Sequence, residues 1–179
     1  MNISTFLTNL KSKGIARPNL FEVTGVIGPS GALNPTSESI YVRSASIPAS
    51  TLGEITVPYR GRVAKVPGDR TFENWSITII SDEAYDLHNR FLRWSNDITG
   101  HETNVGEGTG AGEIFGAPIY QDWQVSSLKK DGSRTRTWNL VGCWPVSIGA
   151  IEVSADGNDS FAEFTVDIAY QYYTTEGVV

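Results

Sequence analysis

The hydrophobic residues change period several times along the chain, and each change marks an element. Ile3, Phe6, Leu7 and Leu10 recur at helical spacing. Residues 3–13 therefore predict a short amphipathic helix, with Ser4 able to cap it and Gly14 able to stop it. From Pro18 the spacing becomes that of strands. Leu20–Val26 and Ile40–Ile47 read as strands, the first broken by Gly28-Pro29-Ser30-Gly31 and the second closed by Pro48. Ile55–Tyr59 and Val63–Pro67 flank Arg60-Gly61-Arg62 and predict a hairpin over about 55–67. Trp75, Ile77 and Ile79 alternate with polar residues in a further strand. Leu87, Phe91, Trp94 and Ile98 then fall on one helical stripe, which predicts a helix over about 82–98, capped by Ser81 or Asp82 and ended by Gly100. Residues 104–118 are glycine-rich and carry neither period, so a long loop is expected there. Strands resume at Ile119–Lys129, Arg134–Val141 and Val146–Val153. In Phe161–Tyr173, Phe164, Val166, Ile168, Tyr170 and Tyr172 take one face, and Glu163, Thr165, Asp167, Ala169 and Gln171 take the other.

Strands lie on both sides of the long helix, with no internal repeat and no linker. The pattern predicts one mainly β domain: two packed antiparallel sheets forming a sandwich or part-closed barrel, a flanking helix, and a protruding hairpin. The expected division is an N-terminal arm at 1–16, the domain at 17–173 and a short tail at 174–179. A chain of 179 residues can bury roughly 70% of its unfolded surface, enough for a core without staples. Cys143 is the only cysteine, so no intrachain disulfide is possible and a reducing compartment is expected. No apolar run approaches the ~20 residues that span a bilayer, and the first residues carry no signal-peptide pattern. A net charge of −6 argues against an electrostatic grip on nucleic acid.

No set of residues announces catalysis, and neither an enzyme activity nor a cofactor or metal is expected. Gly106–Gly112 lacks the Lys-Ser/Thr and the helix that a phosphate cradle needs. His88 and His101 form no ligand pattern, and Cys143 reads as a core thiol rather than a nucleophile. Asp156-Gly157-Asn158-Asp159-Ser160 begins like a calcium loop, but Phe161 stands where glycine is required, so a turn is expected. Three Asn-x-Ser sequences read as chance matches. The five tryptophans and seven tyrosines raise a rival function, a carbohydrate-binding sandwich module at a virion or cell surface. However, Trp75, Trp94, Tyr170 and Tyr172 fall on inferred core faces.

Charge placement is the more informative signal. Residues 55–70 carry Arg60, Arg62, Lys65 and Arg70 against Asp69 alone. Residues 145–179 carry Glu152, Asp156, Asp159, Glu163, Asp167 and Glu176 without one lysine or arginine. Pro58 and Pro67 cannot donate to a β-ladder and favour an exposed ribbon. A basic ribbon and an acidic region on one chain suggest a heterologous contact between copies, which repeats into a ring or a helical array.

Two long segments carry a family resemblance. Ile55–Trp75, ITVPYRGRVAKVPGDRTFENW, and Gly142–Tyr173, GCWPVSIGAIEVSADGNDSFAEFTVDIAYQYY, resemble signatures of the tail-tube proteins of contractile-tailed bacteriophages. Ser44-Ala45-Ser46-Ile47-Pro48 and Arg90-Phe91-Leu92-Arg93-Trp94 occur in the matching order. The resemblance covers about residues 17–173 and extends to bacteriocin and type VI secretion inner-tube proteins. It implies a structural subunit, in the virion tail and assembled in the host bacterial cytoplasm, whose hexameric rings stack into a hollow tube. The implied partners are other copies, the tail sheath, the baseplate and the tail terminator, with DNA or other cargo passing through unbound. It also implies that Val57, Pro58, Tyr59, Arg60, Gly61, Arg62, Val63, Lys65, Pro67, Gly68, Asp69 and Arg70 make ring and subunit contacts. Glu163, Thr165 and Asp167, on the polar face of the last strand, are the candidates for the channel wall.

Overall fold

The structure is a computed structural model that describes residues 2–28, 39–102, 119–158 and 160–177. The expected glycine-rich loop at 104–118, and the expected break at 28–31 beyond Gly28 itself, lie outside the described residues. The element order is α1 (Ile3–Lys13), β1 (Phe21–Gly25), β2 (Val42–Ala45), β3 (Ser50–Tyr59), β4 (Arg62–Phe72), β5 (Trp75–Ile80), α2 (Asp86–Ile98), β6 (Gln121–Leu128), β7 (Arg134–Ile148), β8 (Glu163–Ala169) and β9 (Tyr172–Gly177).

All strand pairs are antiparallel, and β7 organises them. Its first half pairs with β6 on one side and β9 on the other, and β1 adds to β6. Its second half pairs with β8, followed by β5 and β2. The strand bends where these halves meet: Gly142 has a left-handed φ of 68°, and a Cβ there would sit 2.9 Å from the Gln171 side chain. The bend turns one seven-stranded sheet, β1-β6-β7-β8-β5-β2 with β9 on β7, into the two layers of a part-closed sandwich. The expected fold class is the observed one.

Alternation builds the core. Trp75, Ile77 and Ile79 of β5 and Phe164, Val166 and Ile168 of β8 are buried, opposed as Trp75↔Ile168, Ile77↔Val166 and Ile79↔Phe164. The α2 stripe closes on them through Leu87, Phe91 and Trp94. Phe91 lies 6.0 Å from Trp123 and 6.2 Å from Phe164, and Trp75 lies 5.8 Å from Trp123, distances at which aromatic pairs attract. Each buried indole also donates to a backbone carbonyl: Trp75 to Ser46, Trp94 to Ile119 and Trp123 to Val26. These bonds tie loops to the core without leaving a buried N–H unpaired.

Several boundaries differ from expectation. α2 starts at Asp86, not 82, because a turn at 83–84 and a left-handed Tyr85 intervene. Asp82 still serves the helix, its carboxylate accepting from the N–H groups of Asp86 and Leu87. The helix ends at Thr99 rather than at Gly100. For α1 the cap is Asn2, which accepts from the Ser4 N–H, so Ser4 is the donor and not the capping residue. Arg134–Val141 and Val146–Val153 are not separate strands: β7 runs through Pro145 to Ile148, and the described residues among 149–162 carry no helix or strand. The last strand splits at Tyr170–Gln171, so Tyr172 begins β9 and is exposed, while Tyr173 packs on the core. β9 pairs with β7 as far as Gly177, which carries the sheet past the boundary expected at 173.

Candidate assembly surfaces

The hairpin is longer than the expected 55–67. β3 and β4 form a separate two-stranded sheet over 50–72, joined by Arg60-Gly61. Arg60 has φ 44° and Gly61 φ 80°, the paired left-handed values that match the twist of a two-residue hairpin turn. A bulge places Gly68 and Asp69 opposite Gly53. Phe72 anchors the root, 5.8 Å from Tyr170 and 5.7 Å from Tyr173. Nearby, the Tyr170 hydroxyl donates to the Ala49 carbonyl at 3.2 Å, and burial pushes that phenol above its ordinary pKa.

From Thr51 to Pro67 every residue of the ribbon is exposed. Pairing sets Ile55 opposite Val66 and Val57 opposite Ala64, with Tyr59 beside Arg62 at the tip. One face therefore presents Ile55, Val57, Tyr59, Ala64 and Val66 to solvent, with Arg62 beside Tyr59 at its tip, and Tyr59 is 67% exposed. The other face carries Glu54, Thr56, Pro58, Val63, Lys65 and Pro67, with Lys65 paired to Glu54 at 3.0 Å. Arg70 donates to Ser50. The twelve residues named from the resemblance thus share this ribbon.

Glu163, Thr165 and Asp167 share the outward face of β8, as alternation requires. Opposite them stand Ile80, Thr78 and Ser76. Glu163 is bonded to Arg43, whose guanidinium also lies 5.5 Å from the Phe161 ring centroid. The pairing with Arg43 comes from a strand 120 residues away, so no local signal in the sequence shows it.

The remaining candidates fall into structural roles. His88 is half-buried with its ring 5.0 Å from that of Phe164, and His101 is exposed. Cys143 is fully buried; burial pushes its thiol up to about 12, and the S–H points to the Leu140 carbonyl. Around 154–158 the backbone makes turn bonds, Gly157 N–H to Ser154 and Asn158 N–H to Asp156; Asp159 lies outside the described residues. Among the described residues no three His, Cys, Asp or Glu gather as metal ligands, and no helix is long and apolar enough to cross a membrane. Trp75, Trp94 and Trp123 are buried, and Trp138 and Trp144 half-buried. The exposed tryptophans that a carbohydrate platform needs are missing.

The candidate site is thus a surface: a sandwich whose β3–β4 hairpin forms a sheet of its own, with an apolar face toward solvent. Residues 8–176 match the family model described as phage tail tube protein, and the chain belongs to that family. It is 26% identical over 169 residues to the tail tube protein gp19 of Enterobacteria phage T4, covering 91% of this chain and 93% of that protein. It is 34% identical over 127 residues to the tail tube protein of Serratia phage KSP90, covering 71% and 68%. The fold resembles a chain of the anti-feeding prophage baseplate (TM-score 0.65, 13% identity, covering 92% of this chain and 97% of that one). It also resembles a chain of the PVC sheath–tube complex, an extracellular contractile injection system in the extended state (TM-score 0.61, 15% identity, 96% and 97%). The protein is a structural tail-tube subunit of the phage tail tube family.

Proposed function

We propose that the subunit works passively: copies form hexameric rings, rings stack into a hollow tube, and the β3–β4 ribbon from Val57 to Arg70 makes contacts between copies. The carrying observation is the ribbon's exposed apolar surface. Leu52, Ile55, Val57, Tyr59, Val63 and Val66 are all about half-exposed or more. A two-stranded ribbon is marginal by itself in water, and covering the exposed half of each such side chain contributes on the order of 1 kcal/mol. Repeated around a ring, that gain offsets the cost of ordering each subunit.

On this reading the partners are other copies first, then sheath, baseplate and tail terminator at the tube's outer surface and ends. Assembly takes place in the host cytoplasm, and DNA or other cargo passes without specific binding. The outward face of β8 around Asp167, with Ser76 and Ser147 beside it, lines the channel, and no catalysis is involved. The arm at 1–16, the domain at 17–173 and the tail at 174–179 serve as one assembly unit.

Deleting Tyr59–Val63 tests the ribbon's role. The root, held by Phe72 between Tyr170 and Tyr173, stays intact, so the variant is expected to melt within a few degrees of the parent while forming no tubes in electron micrographs. Tubes of ordinary length from the shortened protein would refute the reading.

A further inference from the structure

Two surfaces of opposite character lie at opposite ends of the β5–β8 pair. Trp75 opposes Ile168 at one end, and Ile80 opposes Glu163 at the other. The ribbon leaves from the Trp75 end, where Phe72 meets Tyr170. The loop of residues 149–162 closes the Glu163 end. The seven residues of β8 set the two ends roughly 20 Å apart at about 3.3 Å per residue.

At the ribbon tip Arg60 and Arg62 are exposed, and the Arg60 guanidinium lies 5.5 Å from the Tyr59 ring centroid. Among the described residues neither arginine meets a carboxylate. The far loop carries the complement. Glu152 lines an open cavity of about 460 Å³ with Ser154, Phe161 and the first residues of the β8 outward face, Glu163 and Thr165, and Asp156 follows four residues on. Phe161 and Val153 stand in solvent, the latter 81% exposed. Arg43 engages Glu163, which leaves Glu152 and Asp156 as the loop's carboxylates without a cation among the described residues.

We infer that the Tyr59–Val63 tip of one copy seats on the 149–162 loop of a neighbouring copy, with Tyr59 in the cavity beside Phe161 and Arg60 and Arg62 against Glu152 and Asp156. The inference rests on the ribbon reading above and names the surface that receives it. Opposite-end placement makes the contact head-to-tail. With all copies facing the same way, each gives a tip at one end and takes one at the other, and the contact repeats along the strand direction. The cavity is of a size that holds a ring-sized group, and apolar contact beside two opposed charges gives both affinity and register.

A charge exchange tests it. R60E/R62E and E152R/D156R should each raise the protein concentration needed for tubes about tenfold or more at 50 mM salt, since like charges then face each other. Both variants should keep the parental circular dichroism and melting point, because all four residues are exposed. Combining the four substitutions should restore tubes. If R60E/R62E blocks assembly and the combination does not rescue it, the ribbon reading stands and the receiving surface is wrong. If R60E/R62E assembles like the parent, both fail. Independently of folding effects, an R62C/E152C variant should form an intermolecular disulfide ladder under mild oxidation. Cys143, buried with its thiol pKa raised to about 12, stays silent. Intact tubes that yield only monomer on non-reducing gels would overturn the proposed contact.

Discussion

Gly25 leaves no room for a side chain. A Cβ built there would lie 2.2 Å from Cδ2 of Trp123, whose ring is fully buried and held by its bond to the Val26 carbonyl. Overpacking of this kind costs about 1–3 kcal/mol, and a domain of this size loses about 2–4 °C per kcal/mol. Gly25→Ala is therefore expected to lower the melting temperature of the unassembled protein by several degrees, with calorimetry as the check. An unchanged melting point would mean that the strand shifts freely away from the indole. At this scale the sequence was informative for core residues, because alternation marks Trp75, Ile77, Ile79 and the β8 face directly. It was silent on Gly25, since a glycine in a strand does not name the distant ring that requires it. The same limit hid Arg43–Glu163, whose partners meet only through the order of strands in the sheet.

Elements with a clear period were legible, and those shaped by their neighbours were less so. The α2 stripe and the Arg60-Gly61 turn follow from local spacing. The union of two expected strands into β7 does not, because Gly142 and Pro145 read locally as breaks, while pairing with β6, β8 and β9 carries the strand through them. α1 poses the opposite problem: a helix well marked in sequence but without cover. Ile3 is 74% exposed, and Phe6 and Leu7 stand about half in solvent. An isolated helix of eleven residues is marginal, since about 12–15 are needed even in good sequences. Hydrogen exchange on monomer and tube should accordingly show residues 3–13 exchanging at near-unfolded rates in the monomer and protected at least tenfold after assembly. Strong, equal protection in both states would mean that the helix packs within its own subunit.

For the whole molecule, the uneven spread of charge matters more than its total of −6. Four of the fourteen basic side chains lie on the ribbon and none in residues 145–179, and the outward face of the β5–β8 layer is rich in hydroxyls. Ser76, Thr78, Ser147 and Thr165 surround Asp167 there, while the nearby Glu163 is already neutralised by Arg43. A channel wall that must release DNA cannot offer cations, because duplex DNA carries one charge per ~1.7 Å of axis and each cationic contact adds salt-dependent affinity. A face of hydroxyls and one unpaired carboxylate per subunit meets that requirement. On the proposed placement of this face toward the lumen, S76K/D167K tests it without disturbing the Arg43–Glu163 pair or the cavity proposed to receive Tyr59. The variant should still form tubes, because neither side chain belongs to the core, the ribbon or the cavity beside Glu152. In a particle it should slow DNA release several-fold at low ionic strength and release normally near 1 M salt, where screening falls to about 3 Å. Release indifferent to the two lysines at low salt would put this face on the outside of the tube, toward the sheath.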